Sequence, residues 1–306
     1  MNKKKSKKVI VTGGAGFIGG HLVDTLVEHD YKVGVIDDLS GGKKSRVNKK
    51  AKLHVLDIVD LKAIQPIFKG AEYVFHLAAL PRVQISIEKP IETNRINVIG
   101  TLNVLKAAHE AGVKKVVYAA SSSAYGDQTK MPLVETMPAN PKSPYGLQKY
   151  IGELYCRLYS EIYNLPTVCL RFFNVYGPGS DPNGAYALVI AKFLKQRSEG
   201  KELTITGDGK QTRDFTHVRD VVRANLLAAK SGKVGHGEVI NIGAGRAQSV
   251  KRIAELIGGK VKHLPARLEP KHTLADNRLA KRLLSWTPKV KIEEGVSELK
   301  KLAGLD

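Results

Sequence analysis

Cysteine, tryptophan and long apolar runs are all scarce in this chain of 306 residues. The 2 cysteines, Cys156 and Cys169, are not at metal-ligand spacing and are too few for a disulfide framework. This excludes a disulfide-stabilised secreted domain. No segment approaches the roughly 20 consecutive apolar residues that a membrane-spanning helix requires. We therefore expect a cytoplasmic chain, in a reducing compartment, with no membrane partner and no bound metal.

Acidic residues are scarce relative to basic ones, with 29 Asp and Glu against 49 Lys and Arg and a net charge of +20. A basic protein attracts nucleic acid, acidic membranes and anionic ligands alike. The excess is spread along the chain, however, and no basic segment is interleaved with aromatic residues as in nucleic-acid-binding motifs. We interpret it as general surface charge that also favours a phosphate-bearing substrate, and we predict no nucleic-acid partner.

The N-terminal lysines precede an apolar run and so resemble the start of a signal peptide. Cleavage behind that run would remove the glycine-rich segment at 13–20, on which the predicted cofactor site depends. We therefore expect this segment to belong to the folded chain.

Hydrophobic residues make up 42% of the chain, which is enough for one large or two modest domains. Apolar runs alternate with stretches of helical periodicity, a pattern typical of a parallel sheet with helices on both faces. The predicted strands are 9–11, 32–36, 53–56, 73–77, 115–120, 167–170 and 238–242, and the predicted helices are 21–29, 97–111 and 145–163. We predict an α/β fold, a Rossmann-like doubly wound parallel sheet with a smaller C-terminal α/β substrate domain.

The segment 9–28 has the pattern of a strand, a tight glycine turn and a helix. Gly13, Gly16 and Gly19 are spaced G-x-x-G-x-x-G, and Gly14 with the last two gives G-x-G-x-x-G. Without side chains there, the backbone can approach a pyrophosphate, whose charge then meets the free N–H groups and the positive end of the helix. The pattern predicts a dinucleotide-binding loop, and an ordinary glycine turn is the alternative.

The second predicted strand ends in Asp37 and Asp38, close to the roughly 20-residue spacing of the acid that binds the cofactor ribose. A carboxylate there accepts a hydrogen bond from the 2′-hydroxyl and repels a 2′-phosphate. The pattern therefore favours NAD over NADP. Lys43, Lys44 and Arg46 follow closely and provide the alternative, since these cations are able to bind a 2′-phosphate.

Tyr145 and Lys149 lie one helical turn apart in the segment SPYGLQKY, so the phenol and the ammonium share one helix face. A nearby cation favours the phenolate, and a tyrosine in that setting can act as a base near neutral pH. The spacing alone is weak, because Tyr and Lys occur four apart by chance in most chains. Combined with the glycine loop, it predicts the catalytic centre.

Together these motifs resemble those of the extended short-chain dehydrogenase/reductase family, and within it the nucleotide-sugar 4-epimerases of the UDP-glucose and UDP-N-acetylglucosamine type. The match extends over nearly the whole chain. Besides the Tyr–Lys pair, its motifs are TGGAGFIG at 12–19, DDLSGG at 37–42, HLAAL at 76–80, SSSAYG at 121–126, RFFNVYGP at 171–178 and RDFTHVRD at 213–220. The resemblance implies an NAD-binding domain over 1–175, with a returning segment at about 214–242, and a nucleotide-sugar-binding domain over 176–306.

The resemblance also implies which residues surround the cofactor. Asp57 and Ile58 lie near the adenine, 77–79 line the cleft, Asn97 lies behind the active site and Phe173 borders the nicotinamide. The complete set of predicted cofactor contacts is Gly13, Gly16, Phe17, Ile18, Gly19, Asp37, Asp38, Ser40, Asp57, Ile58, Leu77, Ala78, Ala79, Asn97, Tyr145, Lys149 and Phe173. We expect NAD to stay bound, because epimerisation regenerates it.

The same resemblance assigns Ser121 as the third catalytic residue, because it stands four positions before the tyrosine of SSSAYG. Ser122 and Ser123 then distinguish the reactions of the family: sugar 4,6-dehydratases carry Asp and Glu here, and glucuronate decarboxylases carry Glu at the second position. A serine hydroxyl at its ordinary pKa is poorly suited to a dehydratase's acid–base work. The serines favour an epimerase. The alternatives are a uronate epimerase, a decarboxylase or a reductase, and a non-catalytic NAD-binding regulator.

For the substrate, the resemblance implies that Arg213 and Arg267 bind the diphosphate and that Asn174 contacts the diphosphate or the sugar. Thr273 occupies the position that sets the pocket size, where an aromatic side chain resembles the type restricted to unacetylated sugars, and Leu188 lines the same pocket. We therefore expect UDP-GlcNAc/UDP-GalNAc as well as UDP-Glc/UDP-Gal as UDP-sugar substrates. The predicted substrate contacts are Ser121, Ser122, Ser123, Tyr145, Asn174, Leu188, Arg213, Arg267 and Thr273.

The predicted helices 97–111 and 145–163 resemble those that form a four-helix dimer interface in this family. Apolar residues on both would otherwise be plain core. We therefore predict a homodimer.

Overall fold

A parallel sheet of seven strands, in the spatial order β11-β6-β5-β4-β1-β2-β3, forms the centre of the protein. The computed structural model describes residues 6–81, 83–182, 189–265 and 272–305. Its strands are β1 (Lys8–Thr12), β2 (Lys32–Asp37), β3 (Lys52–Val55), β4 (Ala71–His76), β5 (Lys115–Ser121), β6 (Thr167–Phe172), β7 (Val175–Tyr176), β8 (Leu203–Thr206), β9 (Thr212–Asp214), β10 (Thr216–His217), β11 (His236–Ile242), β12 (Ala247–Ser249) and β13 (Val261–Leu264).

Helices connect most of these strands. They are α1 (Phe17–Glu28), α2 (Leu61–Ile64), α3 (Val83–Glu88), α4 (Pro90–Asn94), α5 (Thr101–Glu110), α6 (Pro144–Tyr163), α7 (Val189–Ser198), α8 (Val218–Lys230), α9 (Val250–Ile257), α10 (Arg278–Leu284) and α11 (Ile292–Leu302). A π-helical turn, Arg95–Gly100, joins α4 to α5, and 3-10 turns lie at Lys44–Arg46, Gln65–Phe68 and Ser122–Ala124. Among the described residues, no helix combines the length and the apolar character needed to cross a bilayer.

Alternating apolar side chains along each strand build two cores, one on each face of the sheet. In β1, Val9 and Val11 pack with α1 and α8, whereas Ile10 packs on the opposite face with α5 and α6. Both faces of the sheet are therefore covered, as the continuous apolar runs of parallel strands require. The predicted Rossmann-like doubly wound sheet is confirmed.

Two helix starts differ from the prediction. α1 begins at Phe17 rather than His21, because Gly19 and Gly20 lie inside the helix, where a side chain at Gly19 would collide with the carbonyl of Gly13. The helix predicted from residue 97 continues a helical segment that starts at Pro90 and includes the π-helical turn.

The C-terminal part of the chain builds a third core beside the sheet. β8 pairs with β13, and α7, α9 and α11 pack together through Phe193, Ile253 and Val296. From this part, β11 returns to the main sheet and pairs with β6. The division into domains 1–175 and 176–306 stays a prediction.

The carboxyl ends of the parallel strands meet at one edge of the sheet. β1 ends at Thr12, β2 at Asp37, β4 at His76, β5 at Ser121 and β6 at Phe172. The loops that follow these strands carry most of the predicted site residues. Ligands of open α/β sheets bind outside this edge, so the fold collects those residues where a ligand is expected.

Candidate active site

The glycine turn after β1 fits a diphosphate at the start of α1. Gly13 has a φ of +74°, and a Cβ added there would lie 2.7 Å from the backbone nitrogen of Ala78. Gly16 caps α1 without a side chain, and the first turn, which presents residues 17–18, contains no acidic residue. The N–H groups and the positive end of α1 are therefore left for an anion. These features, with the close approach at Gly19, fit the pyrophosphate of NAD.

Asp37 connects the glycine turn to β2. Its Oδ2 accepts the N–H of Ala15 at 2.9 Å, and its Oδ1 accepts the N–H of Leu39 at 2.9 Å. Burial raises the pKa of Asp37, and these two donors oppose the rise. Asp38 is exposed and accepts hydrogen bonds from the N–H of Ser40 at 3.0 Å and from its hydroxyl at 2.7 Å. Both carboxylates retain lone pairs for a ribose hydroxyl.

The loop after β7 is hydrogen-bonded to α1 and to the 3-10 turn at Lys44–Arg46. The Arg46 guanidinium donates to the carbonyl of Gly179, and a ring nitrogen of His21 lies 2.8 Å from the carbonyl of Pro178. Arg46, one of the three cations that the sequence offered as partners for a 2′-phosphate, is thus engaged with a backbone carbonyl.

Asp57 and Ile58, predicted to lie near the adenine, follow β3. Arg95 donates to Asp57 at 3.1 Å. Ile58 is buried, and a Cβ at Gly100 would lie 2.5 Å from its Cδ1, so glycine in the π-helical turn makes room for it. The amide of Asn103 donates to the carbonyl of Ile58 at 3.1 Å. The adenine-side loop is therefore held by α5 and the turn before it.

A buried chain of hydrogen bonds begins at the end of β1. The Thr12 hydroxyl lies 2.7 Å from Nδ1 of His76, whose Nε2 lies 2.9 Å from the hydroxyl of Thr101. Thr101 donates in turn to the carbonyl of Asn97 at 2.7 Å. Burial, with a smaller contribution from the charge of Lys149, lowers the pKa of His76 to about 3. The His76 ring is therefore neutral, and its two nitrogens link the hydroxyls of Thr12 and Thr101.

Asn97 continues the chain to α6. Its Oδ1 accepts the N–H of Leu80 at 2.8 Å, and its Nδ2 donates to the carbonyl of Leu80 at 3.2 Å and to Oε1 of Gln148 at 2.8 Å. Gln148 directly precedes Lys149. Asn97 thereby fixes Leu80, which directly follows the segment 77–79 predicted to line the cofactor cleft, against the helix of the predicted catalytic pair.

The start of α6 is built around Tyr145. The Ser143 hydroxyl caps the helix by accepting the N–H of Gly146 at 3.1 Å, and the Ser86 hydroxyl accepts the N–H of Tyr145 itself at 3.0 Å. A Cβ at Gly146 would lie 2.6 Å from the carbonyl oxygen of Ser123. The glycine after the tyrosine therefore lets α6 approach the serine turn. Ser86 was not predicted, because nothing in the local sequence connects it to residue 145.

Lys149 is buried with its charge directed at the sheet. Its Nζ donates to the carbonyl of Ala119 at 2.7 Å and lies 4.9 Å from the ring centroid of Tyr118. Burial lowers the pKa of Lys149 to about 8, and the charge of Glu153 opposes this change. At neutral pH Lys149 remains an ammonium.

Burial raises the pKa of the Tyr145 phenol to about 12, although a hydrogen bond with Ser121 lowers it. For the chain without its cofactor, this direction is opposite to the decrease that the Tyr–Lys spacing predicts, and the catalytic role of Tyr145 stays a prediction. Transfer of a phenolate out of water costs more than the hydrogen bond with Ser121 returns. Tyr145 is a neutral phenol at pH 7, and its deprotonation requires further positive charge nearby.

Ser121 ends β5 and begins the serine turn. Its Oγ accepts the N–H of Ser123 at 3.2 Å and donates to the Ser123 hydroxyl at 3.1 Å. Ser121 is buried, whereas Ser122 and Ser123 are half-buried. The turn brings Ser121 to the phenol of Tyr145 and presents hydroxyl groups where a dehydratase would carry carboxylates.

Asn174 and Thr273 meet on the side assigned to the sugar. Asn174 Nδ2 lies 3.4 Å from Oγ1 of Thr273 and donates to the carbonyl of Asp214 at 3.3 Å. The Thr273 hydroxyl also accepts the N–H of Asp214 at 3.3 Å. Next to it, the guanidinium of Arg213 donates to the carbonyl of Thr212 at 3.0 Å. Three predicted substrate residues, distant in sequence, are thus neighbours.

Asp214 holds this region together, although sequence reasoning did not select it. Its buried carboxylate accepts the N–H groups of Ala244 at 2.8 Å, Gly245 at 2.9 Å and Ala275 at 3.0 Å. Burial raises the pKa of Asp214 to about 6 despite these donors. One side chain thereby joins β9, the loop after β11 and the segment before α10. Its position beside Arg213 in RDFTHVRD was the available signal.

The remaining predicted residues fall into two groups. Phe173 is fully buried in a small cluster with Leu133 and Ala275, and its contact with the nicotinamide stays a prediction. Leu188 and Arg267 lie outside the described residues. Within the described ranges, no three His, Cys, Asp or Glu side chains are grouped as a metal site.

Several known proteins resemble this chain over nearly its whole length. A putative UDP-glucose 4-epimerase of Methanocaldococcus jannaschii is 39% identical over 300 residues, which cover 95% of this chain and 96% of that protein. A UDP-N-acetylglucosamine 4-epimerase of Methanobrevibacter ruminantium, solved with UDP-N-acetylmuramic acid, superposes with a TM-score of 0.92 at 39% identity, over 97% and 98% of the two chains. The UDP-glucose 4-epimerase of Thermotoga maritima, solved with UDP-glucose, has a TM-score of 0.90 at 40% identity, over 96% and 99%.

Relatives at slightly lower identity carry the names of other reactions. They include a UDP-N-acetyl-alpha-D-glucosaminuronate decarboxylase of Bacillus cytotoxicus at 34% and a UDP-glucuronate 4-epimerase of Thermodesulfobacterium geofontis at 36%. Residues 9–243 match the family described as "NAD dependent epimerase/dehydratase family". The chain therefore belongs to the NAD-dependent epimerase/dehydratase family, has NAD as its cofactor and resembles the UDP-sugar 4-epimerases within it.

Proposed function

We propose that this protein interconverts the 4-epimers of UDP-hexoses, both UDP-Glc/UDP-Gal and UDP-GlcNAc/UDP-GalNAc, by transient oxidation at C4. The observation that carries this proposal is the meeting of Ser121 with Tyr145, one turn from Lys149, beside a turn whose next residues are serines. A dehydratase or a decarboxylase needs a carboxyl group in that turn for proton transfer. Ser122 and Ser123 supply hydroxyls only.

In this mechanism Tyr145 moves the proton of the sugar 4-hydroxyl, and Ser121 hydrogen-bonds the same oxygen within the roughly 2.6–3.2 Å that proton transfer requires. Lys149, held by Ala119, stabilises negative charge on the phenol oxygen. NAD, when bound, supplies the hydride acceptor for C4 and a positive ring at the active site. The 4-keto sugar then turns over on its diphosphate, and Tyr145 returns the proton to O4 once the opposite face is presented.

Thr273 supports action on the N-acetylated sugars. Its side chain is small, and its hydroxyl is anchored by Asp214 and Asn174, so it does not extend into the adjoining space. A 2-acetamido group needs that space. Arg213 and Arg267 are proposed to bind the two phosphates, because bidentate guanidinium groups suit phosphate oxygens.

The test is to incubate the purified protein, with and without added NAD, separately with UDP-galactose, UDP-N-acetylgalactosamine and UDP-glucuronate. Products are resolved by anion-exchange chromatography or NMR. Formation of the gluco epimers from the first two substrates supports the proposal. Conversion of UDP-glucuronate alone would replace it with a uronate epimerase or decarboxylase, and these are told apart by release of CO₂.

A homodimer through the helices predicted at 97–111 and 145–163, the second of which is α6, is part of the same proposal. Leu147, Leu158 and Ile162 lie on one stripe of α6 and are 47%, 40% and 63% exposed, and Ile91 on α4 is 86% exposed. Apolar patches of this kind mark protein interfaces. Sedimentation velocity should give twice the chain mass of 33.4 kDa, and Ile162→Glu should shift the protein toward the monomer. A monomeric wild type would contradict this part alone.

The cytoplasm is the proposed compartment. Cys156 and Cys169 are free, buried thiols, a state that a reducing environment preserves. Cell fractionation with an antibody to the chain tests this.

A further inference from the structure

A buried ion pair involves Glu153, which lies one helical turn after Lys149 on α6. The guanidinium of Arg171 on β6 donates from Nε to Oε1 of Glu153 at 2.8 Å and from its Nη2 to Oε2 at 2.6 Å. The two side chains are 4% and 2% exposed. Burial raises the pKa of Glu153, and the hydrogen bonds and charge of Arg171 oppose that rise. The fork-to-fork geometry is that of an ionised carboxylate.

Glu153 follows Lys149 by one turn of α6, so both project from the same face of the helix. The titratable and charged groups that face Lys149 are Glu153 and Cys156 on its own helix, Tyr118 on β5, Cys169 on β6 and His76 on β4, with Tyr145 one turn earlier. Burial keeps the pKa of Cys169 and of Tyr118 well above the usual range, so both are neutral near pH 7. His76 is neutral as well. Glu153 is the carboxylate of this group.

A contribution to folding stability is by itself a weak explanation for a buried ion pair of this kind. Removing two charges from water costs about as much as their attraction returns, and apolar replacements are often equally stable. Arg171 is not fully satisfied either, because its Nη1 is buried without a hydrogen-bond partner in the described part of the chain. Its guanidinium instead lies 4.3 Å from the ring centroid of Tyr125, the tyrosine of SSSAYG. The pair therefore connects the helix of Lys149 to the segment that follows the serine turn.

We infer that Glu153 and Arg171 are positioning residues that set the charge state of Lys149, with Glu153 stabilising the ammonium and Arg171 limiting that effect. Neither touches the reacting atoms. The consequence for catalysis rests on the proposed epimerase function, since the ammonium acts there through Tyr145. The effect of Glu153 and Arg171 on the protonation of Lys149 does not depend on that function.

This arrangement predicts shifts of opposite sign. In Glu153→Gln the carboxylate is lost while Arg171 stays charged, so Lys149 loses its proton at lower pH. In Arg171→Met the ammonium of Lys149 is the remaining cation that favours the ionised form of Glu153, so the two charges stabilise each other and Lys149 keeps its proton to higher pH. An opposite charge within about 4–6 Å moves a pKa by roughly one unit or more. A purely structural pair would lower stability in both variants without separating their titrations.

The experiment follows the Lys149 side chain directly, by NMR of protein labelled with ¹³C and ¹⁵N at lysine Cε and Nζ, between pH 6 and about 11. Loss of one signal in Lys149→Met assigns it. A matched control is Asp220→Asn, which removes another buried carboxylate paired with an arginine, Arg223 at 2.7 Å, on α8 across the sheet. It should leave the Lys149 midpoint unchanged.

Conservative variants test charge against shape. Glu153→Asp and Arg171→Lys keep both charges and should titrate close to the wild type. If a single charge-removing variant fails to fold, the double variant Glu153→Gln/Arg171→Met is used. It should titrate below the wild type, because Glu153 is the member that directly raises the pKa of Lys149. Equal midpoints in the folded variants, or single variants shifted in the same direction, would overturn the inference.

Turnover gives the second measurement. The pH at which kcat for UDP-galactose falls on the alkaline side should move in the same directions as the NMR midpoints. If the wild type converts no UDP-hexose, the proposed function fails and the NMR comparison still stands. If the wild type is active but the midpoints do not separate, the inference about the pair fails and the function stands.

Discussion

The catalytic side and the sugar side of this protein are held in place by different means. On the catalytic side, side chains such as Lys149 and Asn97 are buried against the main sheet and hydrogen-bond to backbone carbonyls at 2.7 and 3.2 Å. On the sugar side, Thr273 and Asn174 make contacts of 3.3–3.4 Å and lie on segments outside the strands of the main sheet. There a single carboxylate, Asp214, joins three segments.

The difference separates two tasks of the site. The reaction requires groups fixed to a fraction of an ångström, and a buried frame provides that precision. The choice of sugar requires only that a pocket has the right size, so it can reside on segments that vary. Damage to the catalytic side should therefore abolish turnover, whereas changes on the sugar side should alter selectivity or stability.

The largest expected effect is that of Tyr145→Phe. Loss of the acid–base group should lower kcat on the order of a thousandfold. Because the N–H of residue 145 still donates to Ser86 and the helix is unchanged, bound NAD should be retained, as measured by absorbance after denaturation. Tyr155→Phe, on the same helix and packed at the core, is the control and should remain active. A fully active Tyr145→Phe would disprove the assignment.

The fold was largely predictable, because strands such as β1 and β2 bury both faces and so appear as continuous apolar runs. The start of α1 was missed, since Gly19 and Gly20 argue against a helix locally, and the glycine at 19 is explained only by its packing against the Gly13 carbonyl. Local sequence contains no record of such a contact.

Within the candidate site, spacing selected Tyr145 and Lys149, whose catalytic role stays a prediction, but it did not indicate the effect of burial on the tyrosine. The spacing reports which groups are near each other, whereas the pKa depends on how completely both are removed from water. Burial raised the pKa of Tyr145 where proximity predicted a decrease. Asp214 and Ser86 were missed for a related reason, because their backbone partners Ala244 and Tyr145 are 30 and 59 residues away, respectively.

The second effect is that of Gly13→Ala on the cofactor. A side chain at φ +74°, 2.7 Å from the nitrogen of Ala78, combines left-handed strain with a collision against backbone. NAD affinity should fall on the order of a hundredfold, as measured by calorimetry on protein freed of cofactor. Gly20→Ala is the matched control, since its nearest contact would be 3.5 Å away. If both variants lost NAD affinity equally, the close approach of Gly13 to Ala78 would not be the reason for the loss.

On the sugar side, Asp214→Asn should mainly lower stability. The amide cannot accept all the N–H groups that the carboxylate accepts, which costs about 2 kcal/mol. Burial raises the folded-state pKa of Asp214 from 3.8 to about 6. The folded protein therefore binds more protons than the unfolded chain between these values, and the contribution of Asp214 to stability decreases as pH rises through that window. Urea unfolding at pH 5 and pH 7 should show a larger gap between wild type and variant at pH 5.

The smallest effect, in Thr273→Tyr, tests the comparison most directly. A tyrosine cannot keep the 3.4 Å contact of the threonine hydroxyl with Asn174, so its ring must occupy the space proposed for the 2-acetamido group. The kcat/KM for UDP-GalNAc relative to that for UDP-Gal should fall about tenfold or more, with the value for UDP-Gal nearly unchanged. Thr273→Ser keeps the hydroxyl and should keep the wild-type ratio. If Thr273→Tyr instead lowered kcat/KM equally for UDP-GalNAc and UDP-Gal, Thr273 would be required for the reaction itself. The proposed separation of a catalytic side from a sugar side would then be wrong.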